Sequence, residues 1–555
     1  MKKKLLIVLL TVGMIACTEK NVPDTPGNGE STDTTSVTPA DTSIVTTDTI
    51  KITWSGAAAT IEGSHSDVTV TDKNGYVTVN SSVKDITYLL SGSGQGQLTI
   101  YGTNRHQLIL NGLTLSCSDG PAINNQCKKS CFVVLQGANT LTDGSNYTTS
   151  DEDRKAAFFS EGQMIFSGNG SLTVTGNYKH AIASDDYIQF AESTGSLTLK
   201  AASDGIHAND GIYFDGGSFA ITAGSDGVQC DSMIVVNNGT LTISAEGDGM
   251  QSDTAYIAIH GGSITVTKAG DKGITAFGDI TITDGTIRVT SEYKCIKAGK
   301  KENNKIISAG NITISGGDIQ VECTGEASSG GGGPWGGSSS SNSSPEAIEA
   351  KGKITISGGL VYAKSADDAI NSGGDMTITG GCVCAYATNN DGLDANGNLY
   401  IQGGLVYAIG STSPEMAIDA NTEGGKKLYI SGGTIIAIGN LESGASISGG
   451  TCKYASSWDG GNWYALYNDG TLVAAFMTPV KSNSGSWYVS NGPGGGGPGG
   501  GGSTQKLVVY TSGTPTLKSD VSASGTAIWN STAYYPASAE GGSNVTLSNY
   551  SSSGR

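Results

Sequence analysis

The sequence predicts an all-β protein whose bulk is a single parallel β-helix of about 22 residues per coil, followed by a β-rich C-terminal cap. Three observations support this fold class. Apolar residues recur at a nearly constant step, short segments alternate between apolar and polar residues with a period of two, and one repeated position holds only small residues. Amphipathic helical periodicity is essentially missing.

The repeat becomes visible when the chain is written in lines that align one apolar position per coil. From Ile206 to Ile296 the steps are 22, 22, 24 and 22 residues. The register resumes at Ile348 after a 52-residue gap, which equals one normal coil plus a loop of about thirty residues. The ten aligned positions are Ile182, Ile206, Val228, Met250, Ile274, Ile296, Ile348, Ile370, Leu393 and Ile418, and weaker equivalents occur at Ile123 and Phe158.

Each coil carries three short extended segments bounded by Asp-Gly or Gly-Gly. Ile206–Ala208, Ile354–Ile356 and residues 263–266 exemplify the three types. Their alternation indicates short strands with one buried face. In a parallel β-helix each strand pairs with its equivalent one coil away, about 4.8 Å distant. The uniformly small position, which suits a narrow corner of the core, comprises Ala208, Cys230, Ser252, Ala276, Ala298, Ala350, Ser372, Ala395 and Ala420.

The first seventeen residues, 1–17, resemble a bacterial lipoprotein signal peptide. Three lysines precede an apolar run that is too short to span a bilayer, and the run ends in Met14-Ile15-Ala16-Cys17. This ending resembles a lipobox, in which Cys17 is lipidated. We therefore expect an exported protein that a lipid anchors to the cell envelope, at the outer membrane or the cell surface.

The remainder divides into three parts by composition. Residues 18–48 are rich in Thr, Asp, Pro and Ser and are expected to form a disordered tether. Residues 49–449 contain the β-helix, which a Gly/Ser-rich insertion at 328–344 interrupts. Residues 450–555, with a Gly-rich loop at 492–503, form either a β-rich cap or a separate small domain.

Charge and cysteine content exclude several functions. The formal net charge is −18 at pH 7, so nucleic acid is a poor partner and contact with a membrane is expected only through the lipid. The nine cysteines after Cys17 are odd in number and widely spaced, unlike those of a disulfide scaffold. A bridge among Cys117, Cys127 and Cys131 stays open, because spacing alone does not fix geometry. The sequence does not determine the oligomeric state.

Three segments of the sequence resemble segments of a known protein family. They are the 225–228 segment Ser-Asp-Gly-Val, the 346–359 segment with its Ile-Thr-Ile-Ser-Gly-Gly ending, and the 170–178 segment. Their order over many coils resembles a family of exported bacterial carbohydrate-binding β-helices, related in fold to calcium-dependent polysaccharide lyases of family 9. The resemblance implies a right-handed parallel β-helix that holds calcium and binds cellulose-like or acidic polysaccharides without known cleavage.

Stacked coils turn repeated positions into columns of side chains. The position two residues before the aligned apolar residue is mostly acidic with lysines between, and a second acidic column ends at Asp394 and Asp419. Carboxylates about 4.8 Å apart repel each other by about 3.5 kcal/mol per pair at an effective dielectric of about 20. Ca²⁺ binds such oxygen ligands, whereas zinc or iron would require His or Cys clusters, and the five histidines are scattered. The alternative is that Asp-Gly only makes a turn. The predicted calcium ligands are Asp204, Asp226, Asp248, Asp271, Asp367, Asp368, Asp391 and Asp394.

The resemblance also implies an enzymatic alternative. In the related lyases a lysine beside calcium-bound acidic residues removes the proton next to a uronic acid carboxylate, and Lys272 beside Asp271 has a similar setting. A base needs a lowered pKa, which one sequence does not show.

A further candidate is a surface for sugar rings. Near the C-terminal end of the repeat, the outward positions of the strand after Gly-Gly include Tyr362 and Tyr407. Stacked tyrosines on a flat β-face form an aromatic platform, unless the C-terminal cap covers this patch.

The sequence therefore predicts a non-catalytic, lipid-anchored protein that binds polysaccharide on a Ca²⁺-stabilised β-helix. A calcium-dependent pectate-type lyase is the first alternative, and a surface adhesin or structural protein is the second.

Overall fold

The computed structural model describes residues 43–46, 48–303, 305–326, 344–411, 415–480 and 505–551. Within these ranges the regular structure is entirely β-strand. None of the described residues belongs to a helix long and apolar enough to cross a bilayer. The predictions for the signal peptide, Cys17 and the 492–503 loop fall outside these residues, as do nearly all of the 328–344 insertion and most of the 18–48 tether.

Each coil contributes one strand to each of three columns. The first column is a sheet of its own and, after an antiparallel pair at its start, consists of parallel strands. Its strands are Val68–Lys73, Tyr76–Ser81, Gln97–Gly102, Ile123–Asn125, Ala156–Ser160, His180–Ser184, Ile206–Ala208, Val228–Cys230, Met250–Ser252, Lys272–Ala276, Lys294–Ala298, Glu346–Ala350, Ile370–Ser372, Leu393–Ala395 and Ile418–Ala420.

The second and third columns belong to one larger sheet, because several long strands run through both. The long strands are Thr49–Gly56, Ile86–Gln95, His106–Ser116, Leu399–Ile409 and Leu428–Ile438. The second column also contains Cys131–Gln136, Met164–Ser167, Tyr187–Phe190, Gly211–Phe214, Met233–Val236, Ile257–Ile259, Ile280–Ile282, Ile312–Ile314, Ile354–Ile356, Met376–Ile378 and Ser446–Ile447. The third column also contains Ala138–Thr142, Ser171–Gly176, Ser196–Ala201, Ser218–Ala223, Thr240–Ala245, Ser263–Ala269, Thr286–Ser291, Asp318–Cys323, Leu360–Ser365 and Cys382–Ala387.

Successive coils stack in register. In the first column Ile206 pairs with Val228, Val228 with Met250, and Met250 with Ile274. These are the apolar positions that the sequence aligns, and their side chains are fully buried. The all-β solenoid predicted from the repeat is therefore confirmed, whereas its right-handed winding stays a prediction.

The 52-residue gap is a single coil with two extensions. The strand Lys294–Ala298 pairs directly with Glu346–Ala350, so the gap contains one coil, as expected. The extra residues do not form one loop, however, because an antiparallel hairpin of Lys300–Glu302 and Lys305–Ser308 takes up part of them. The single-loop prediction is corrected, since the extra length is divided between two turns of the coil.

Glycine has two different roles at the turns. Gly381, the second residue of a Gly-Gly pair, has a φ of +79°, a left-handed conformation in which a side chain would be strained. Gly227, which follows Asp226, instead allows a close approach. A Cβ atom there would lie 2.3 Å from Ile243 Cγ2 and 2.6 Å from the Gly249 carbonyl oxygen. The Asp-Gly sequence thus permits neighbouring coils to stack closely.

Antiparallel strands close both ends of the larger sheet. At the first edge, Ala59–Glu62 pairs antiparallel with Thr49–Gly56. At the last edge, Leu507–Thr511 pairs antiparallel with both Leu428–Ile438 and Thr451–Ala455. Such strands cover the open parallel edges, which would otherwise pair with other chains.

The C-terminal residues pack on the outward face of the third column. Four of their strands form an antiparallel sheet that closes on itself. Phe476 from this sheet and Trp529, which lies in the connection between its last two strands, form a buried cluster with Tyr362, Cys384 and Tyr407 of the third column. The last coils therefore have one outward face covered by the chain itself. The four strands are Trp463–Asn468, Thr471–Met477, Pro515–Ile528 and Ala533–Val545, and the short strand Ser548–Asn549 pairs with Thr451–Ala455.

Candidate functional site

Acidic residues stack at one position of the first column. The structure brings Asp204, Asp226 and Asp248 together in consecutive coils. The Asp226 N–H donates to Asp204 Oδ1 at 3.2 Å, and the Asp248 N–H donates to Asp226 Oδ1 at 2.6 Å. We call this column the ladder. Its members, in chain order, are His180, Asp204, Asp226, Asp248, Lys272, Lys294, Glu346, Asp368 and Asp391.

The backbone of the next coil stabilises the ladder carboxylates. Besides the two bonds above, the Lys272 N–H donates to Asp248 Oδ1 at 2.7 Å, and the Asp391 N–H donates to Asp368 Oδ1 at 3.1 Å. Hydrogen bonds to a charged acceptor are stronger than neutral ones, so they offset part of the repulsion between stacked carboxylates. The short Asp side chain therefore has a structural role at this position, as the turn interpretation of Asp-Gly expects.

Burial makes two ladder carboxylates easier to protonate. It raises the pKa of Asp226 to about 6 and the pKa of Asp248 to about 7, and neighbouring carboxylates add to both effects. Asp271, another predicted calcium ligand, is half exposed and contacts the Lys272 ammonium. The carboxylates in this part of the ladder therefore already have partners: backbone N–H groups of the ladder itself and, for the neighbouring Asp271, the Lys272 ammonium.

Lys272 is an ammonium among carboxylates. It forms ion pairs with Asp271 and with Asp248, the latter at 3.7 Å. Burial alone would lower the pKa of Lys272, but the charges of Asp248, Asp271 and Asp226 outweigh burial and raise it. A catalytic base must be deprotonated near its working pH. This environment does not supply the lowered pKa that the lyase alternative requires.

A compact group of carboxylates lies at the C-terminal end of the ladder. One oxygen from each of Asp391, Asp394 and Asp419 lies within 4.8 Å of the others. Asp394 pairs in register with Asp419 of the next coil, which explains their proximity. We call these three residues the acidic cluster. Asp419 stood in the acidic column of the sequence but was not among the predicted ligands.

Burial and mutual repulsion dominate the electrostatics of the acidic cluster. Burial is the main reason that the pKa of Asp391 is raised to about 8, that of Asp394 to about 6 and that of Asp419 to about 9. The carboxylates of Asp367 and Glu415 raise the pKa of both Asp391 and Asp394 further. The arrangement is a set of oxygen donors at which negative charge is costly, and a hard divalent cation suits such a set.

Amides hold the other two predicted ligands near the acidic cluster. Asp367 Oδ1 accepts a hydrogen bond from Asn390 Nδ2 at 2.5 Å, and Asp368 Oδ2 accepts one from Asn371 Nδ2 at 2.9 Å. Asp368 is buried, and burial together with the neighbouring carboxylates raises its pKa well above the usual range.

The opposite end of the ladder contains two histidines that sequence analysis missed. His180 Nδ1 and His207 Nδ1 lie 3.0 and 3.3 Å from Asp204 Oδ2. Burial raises the pKa of Asp204, but the hydrogen bonds from His180 and His207 and the charge of His180 outweigh burial and hold it well below its usual range. The expectation of scattered histidines is corrected. The available signal was the register, because His180 occupies the ladder position of the coil aligned at Ile182.

The predicted aromatic platform is buried. Tyr362 and Tyr407 are 7% and 1% exposed, and the Tyr407 hydroxyl donates to the Met477 carbonyl oxygen at 3.0 Å. Phe476 of the closed C-terminal sheet and Trp529 pack against the Tyr407 ring. Buried rings offer no face to a sugar, so the prediction for these two residues is corrected. The alternative weighed from the sequence, that the C-terminal segment covers this patch, describes their environment.

Another tyrosine pair does face outward, on the second column. The rings of Tyr400 and Tyr429 stack with centroids 5.1 Å apart and planes 9° apart, and Tyr429 is 37% exposed. They continue a row of threonines that pair in register from coil to coil. We call the whole row the Thr/Tyr strip, and it consists of Thr281, Thr313, Thr355, Thr377, Tyr400 and Tyr429.

Stacked coils with acidic columns and an outward aromatic pair define a solenoid protein with several candidate binding surfaces. Residues 73–276, 195–335 and 268–392 match the family described as "Carbohydrate-binding domain-containing protein". Because these overlapping matches span more than half of the chain, the protein belongs to this family.

Comparison with other proteins adds little to this assignment. No curated protein matches the chain. A solved structure described as a polysaccharide lyase-like protein from C. thermocellum, in a gadolinium derivative, is 18% identical and covers 50% of this chain and 95% of its own, with a TM-score of 0.29.

The acidic cluster predicts an unusual pH dependence. The folded pKa values of Asp391, Asp394 and Asp419, about 8, 6 and 9, lie above the ordinary value of about 3.9 for an unfolded chain. The folded state then binds more protons, so the free energy of unfolding falls as pH rises from about 4 to about 9. Melting temperatures measured across this range with a chelator present should decrease. The variant Asp391→Asn with Asp419→Asn should show a shallower decrease, and a melting temperature that rises with pH in the unmodified protein would contradict the account.

Proposed function

We propose that this protein binds polysaccharide without cleaving it, with the glycan chain lying along the Thr/Tyr strip. The observation that carries the proposal is the outward-facing, partly exposed and nearly parallel stack of Tyr400 and Tyr429. Membership of the carbohydrate-binding family supports the ligand class. The solenoid is proposed to wind right-handed, as in the family that the sequence resembles.

The strip has the chemistry and the spacing that a linear glycan needs. Because the rings of Tyr400 and Tyr429 stack on each other, they present ring edges and phenolic hydroxyls outward, and the threonine hydroxyls of the strip donate and accept hydrogen bonds. Each coil advances the strip by about 4.8 Å, so equivalent groups recur at regular steps along the axis. A polymer of repeated sugar units can therefore contact successive coils in the same way.

Alanine in place of either tyrosine should weaken glycan binding. Removing either tyrosine deletes an outward hydroxyl and the ring against which the other packs, and one hydrogen bond contributes about 0.5–1.5 kcal/mol, so Tyr400→Ala or Tyr429→Ala should weaken retention about twofold to tenfold. Affinity electrophoresis in gels that contain cellulose-like or acidic polysaccharides measures this change. The matched control is Tyr535→Ala, which removes an exposed tyrosine from the C-terminal sheet. Retention that Tyr535→Ala reduces as much as the strip variants do would contradict the assignment.

We also propose that the acidic cluster binds Ca²⁺. Three carboxylates within 4.8 Å supply the oxygen ligands that Ca²⁺ prefers, and turn carbonyls or water complete such sites in other proteins. We place calcium at Asp391, Asp394 and Asp419 because their oxygens converge, although Asp391 accepts a backbone hydrogen bond from the Met416 N–H just as the ladder carboxylates do from the coil after them. The same two coils carry the acidic cluster and the tyrosine pair, so a bound cation would stiffen the end of the strip.

Calcium should stabilise the protein through this cluster. At a hundredfold excess over its dissociation constant, a ligand that binds only the folded state adds about 2.7 kcal/mol to the free energy of unfolding. Calorimetry on chelator-treated protein should therefore show a higher melting temperature when Ca²⁺ is added. Asp394→Asn with Asp419→Asn should abolish the increase, whereas Asp284→Asn, at an exposed turn, should retain it. An equal increase in all three proteins would place the cation elsewhere.

The remaining parts of the proposal concern location and catalysis. The lipobox-like ending at Cys17 supports export and attachment to the cell envelope by a lipid. The ion pairs of Lys272 with Asp248 and Asp271 do not favour the lyase alternative.

A further inference from the structure

A mixed group of nitrogen and oxygen ligands lies at the N-terminal end of the ladder, away from the acidic cluster in sequence and chemistry. His180, Asp204 and His207 each offer one ligand atom, and these atoms lie within 4.8 Å of one another. The two imidazole rings stack with centroids 4.4 Å apart and planes 20° apart. His180 is 1% exposed, and the His207 side chain is 14% exposed.

The solenoid fixes this geometry. His180 and Asp204 occupy the ladder position of two successive coils, and His207 follows Asp204 by three residues in the same coil. Asp204 Oδ1 accepts hydrogen bonds from the Asp226 N–H and the Ser203 hydroxyl, each at 3.2 Å. The other carboxylate oxygen, Oδ2, is thereby directed toward both imidazole rings.

His180 contacts Asp204 through its ring nitrogen Nδ1. This nitrogen lies 3.0 Å from Asp204 Oδ2 and 3.3 Å from the Asp204 backbone nitrogen. When Nδ1 is protonated it donates to Oδ2, and a metal ion bound in place of that proton would be held by the same two atoms. The second ring nitrogen, His180 Nε2, is buried without a hydrogen-bond partner.

The separations are slightly shorter than those of ligands around a small metal ion. Two ligands at about 2.0–2.2 Å from a tetrahedral Zn²⁺ lie about 3.3–3.6 Å apart. Asp204 Oδ2 lies 3.0 and 3.3 Å from the two nitrogens, so metal binding moves these atoms slightly apart and rotates the stacked rings until both nitrogens point at the ion. Imidazole suits zinc and similar ions, whereas Ca²⁺ prefers ligands that are all oxygen.

We propose that His180, Asp204 and His207 bind a divalent transition-metal ion, with Zn²⁺ as the ion that fits best. Three protein ligands leave one tetrahedral position for water. The ion joins two successive coils through side chains of both. It is independent of the calcium proposed at the acidic cluster.

Metal titration of the mature protein, purified without a histidine tag and treated with a chelator, tests the proposal. Isothermal titration calorimetry with Zn²⁺ should show one site per chain that excess Ca²⁺ does not displace. Co²⁺ should give the visible absorption of a tetrahedral complex. Loss of groups that only support a metal ligand costs 10–100-fold in affinity, so loss of a ligand in His207→Gln should weaken Zn²⁺ binding at least about tenfold.

Controls separate this site from other metal binding and from misfolding. His207 is the more exposed of the two histidines, so His207→Gln is expected to disturb the fold less than the buried His180→Gln. His260→Ala removes a histidine from another column and should leave Zn²⁺ affinity unchanged. The calcium-site variant Asp394→Asn with Asp419→Asn should also leave it unchanged, so the two proposals fail separately. Unchanged Zn²⁺ affinity in His207→Gln, or an equal loss in His260→Ala, would overturn the assignment.

Discussion

The parallel backbone hydrogen bonds between successive coils are the interaction on which the rest of the structure depends. One coil consists of three short strands and buries too little apolar surface to be stable alone, so its strands are ordered only by pairing with the coils above and below. That pairing also fixes the register. Ile206, Val228 and Met250 consequently meet in a continuous core, and every outward position becomes a column of equivalent side chains.

Stacking identical side chains in successive coils stabilises the protein for some residue types and destabilises it for others. Threonines and tyrosines gain from being repeated, because stacked rings and aligned hydroxyls form an extended surface. Repeated carboxylates repel, and the ladder shows two ways of offsetting this repulsion: backbone N–H groups bond Asp204, Asp226 and Asp248, and Lys272 continues the same column as a counter-charge. The acidic cluster has mainly other carboxylates as charged neighbours, which is the reason for proposing a cation there.

Sequence analysis predicted what depends on the repeat and missed what depends on contacts between distant segments. The step of about 22 residues determined the coils, the small corner position and the stacking of Asp204 on Asp226. The burial of Tyr407 depends on Phe476 and Trp529. These two residues lie C-terminal to the repeat, where the sequence has no periodic pattern that would predict the contact. The histidine pair could have been predicted from the repeat, because extending the ladder by one coil places His180 beside Asp204.

Cross-linking two engineered cysteines tests the register of the coils most directly. Thr313 and Thr355 pair in neighbouring coils although 42 residues separate them in sequence, and Thr377 lies one coil further. Neighbouring positions about 4.8 Å apart lie within the range for a disulfide, whereas positions two coils apart, at about 9.6 Å, do not. Peptide mapping after mild oxidation should therefore find a bridge in Thr313→Cys with Thr355→Cys and none in Thr313→Cys with Thr377→Cys. A bridge in the second variant, or its absence in the first, would contradict the stacking on which the proposed glycan and metal sites rest.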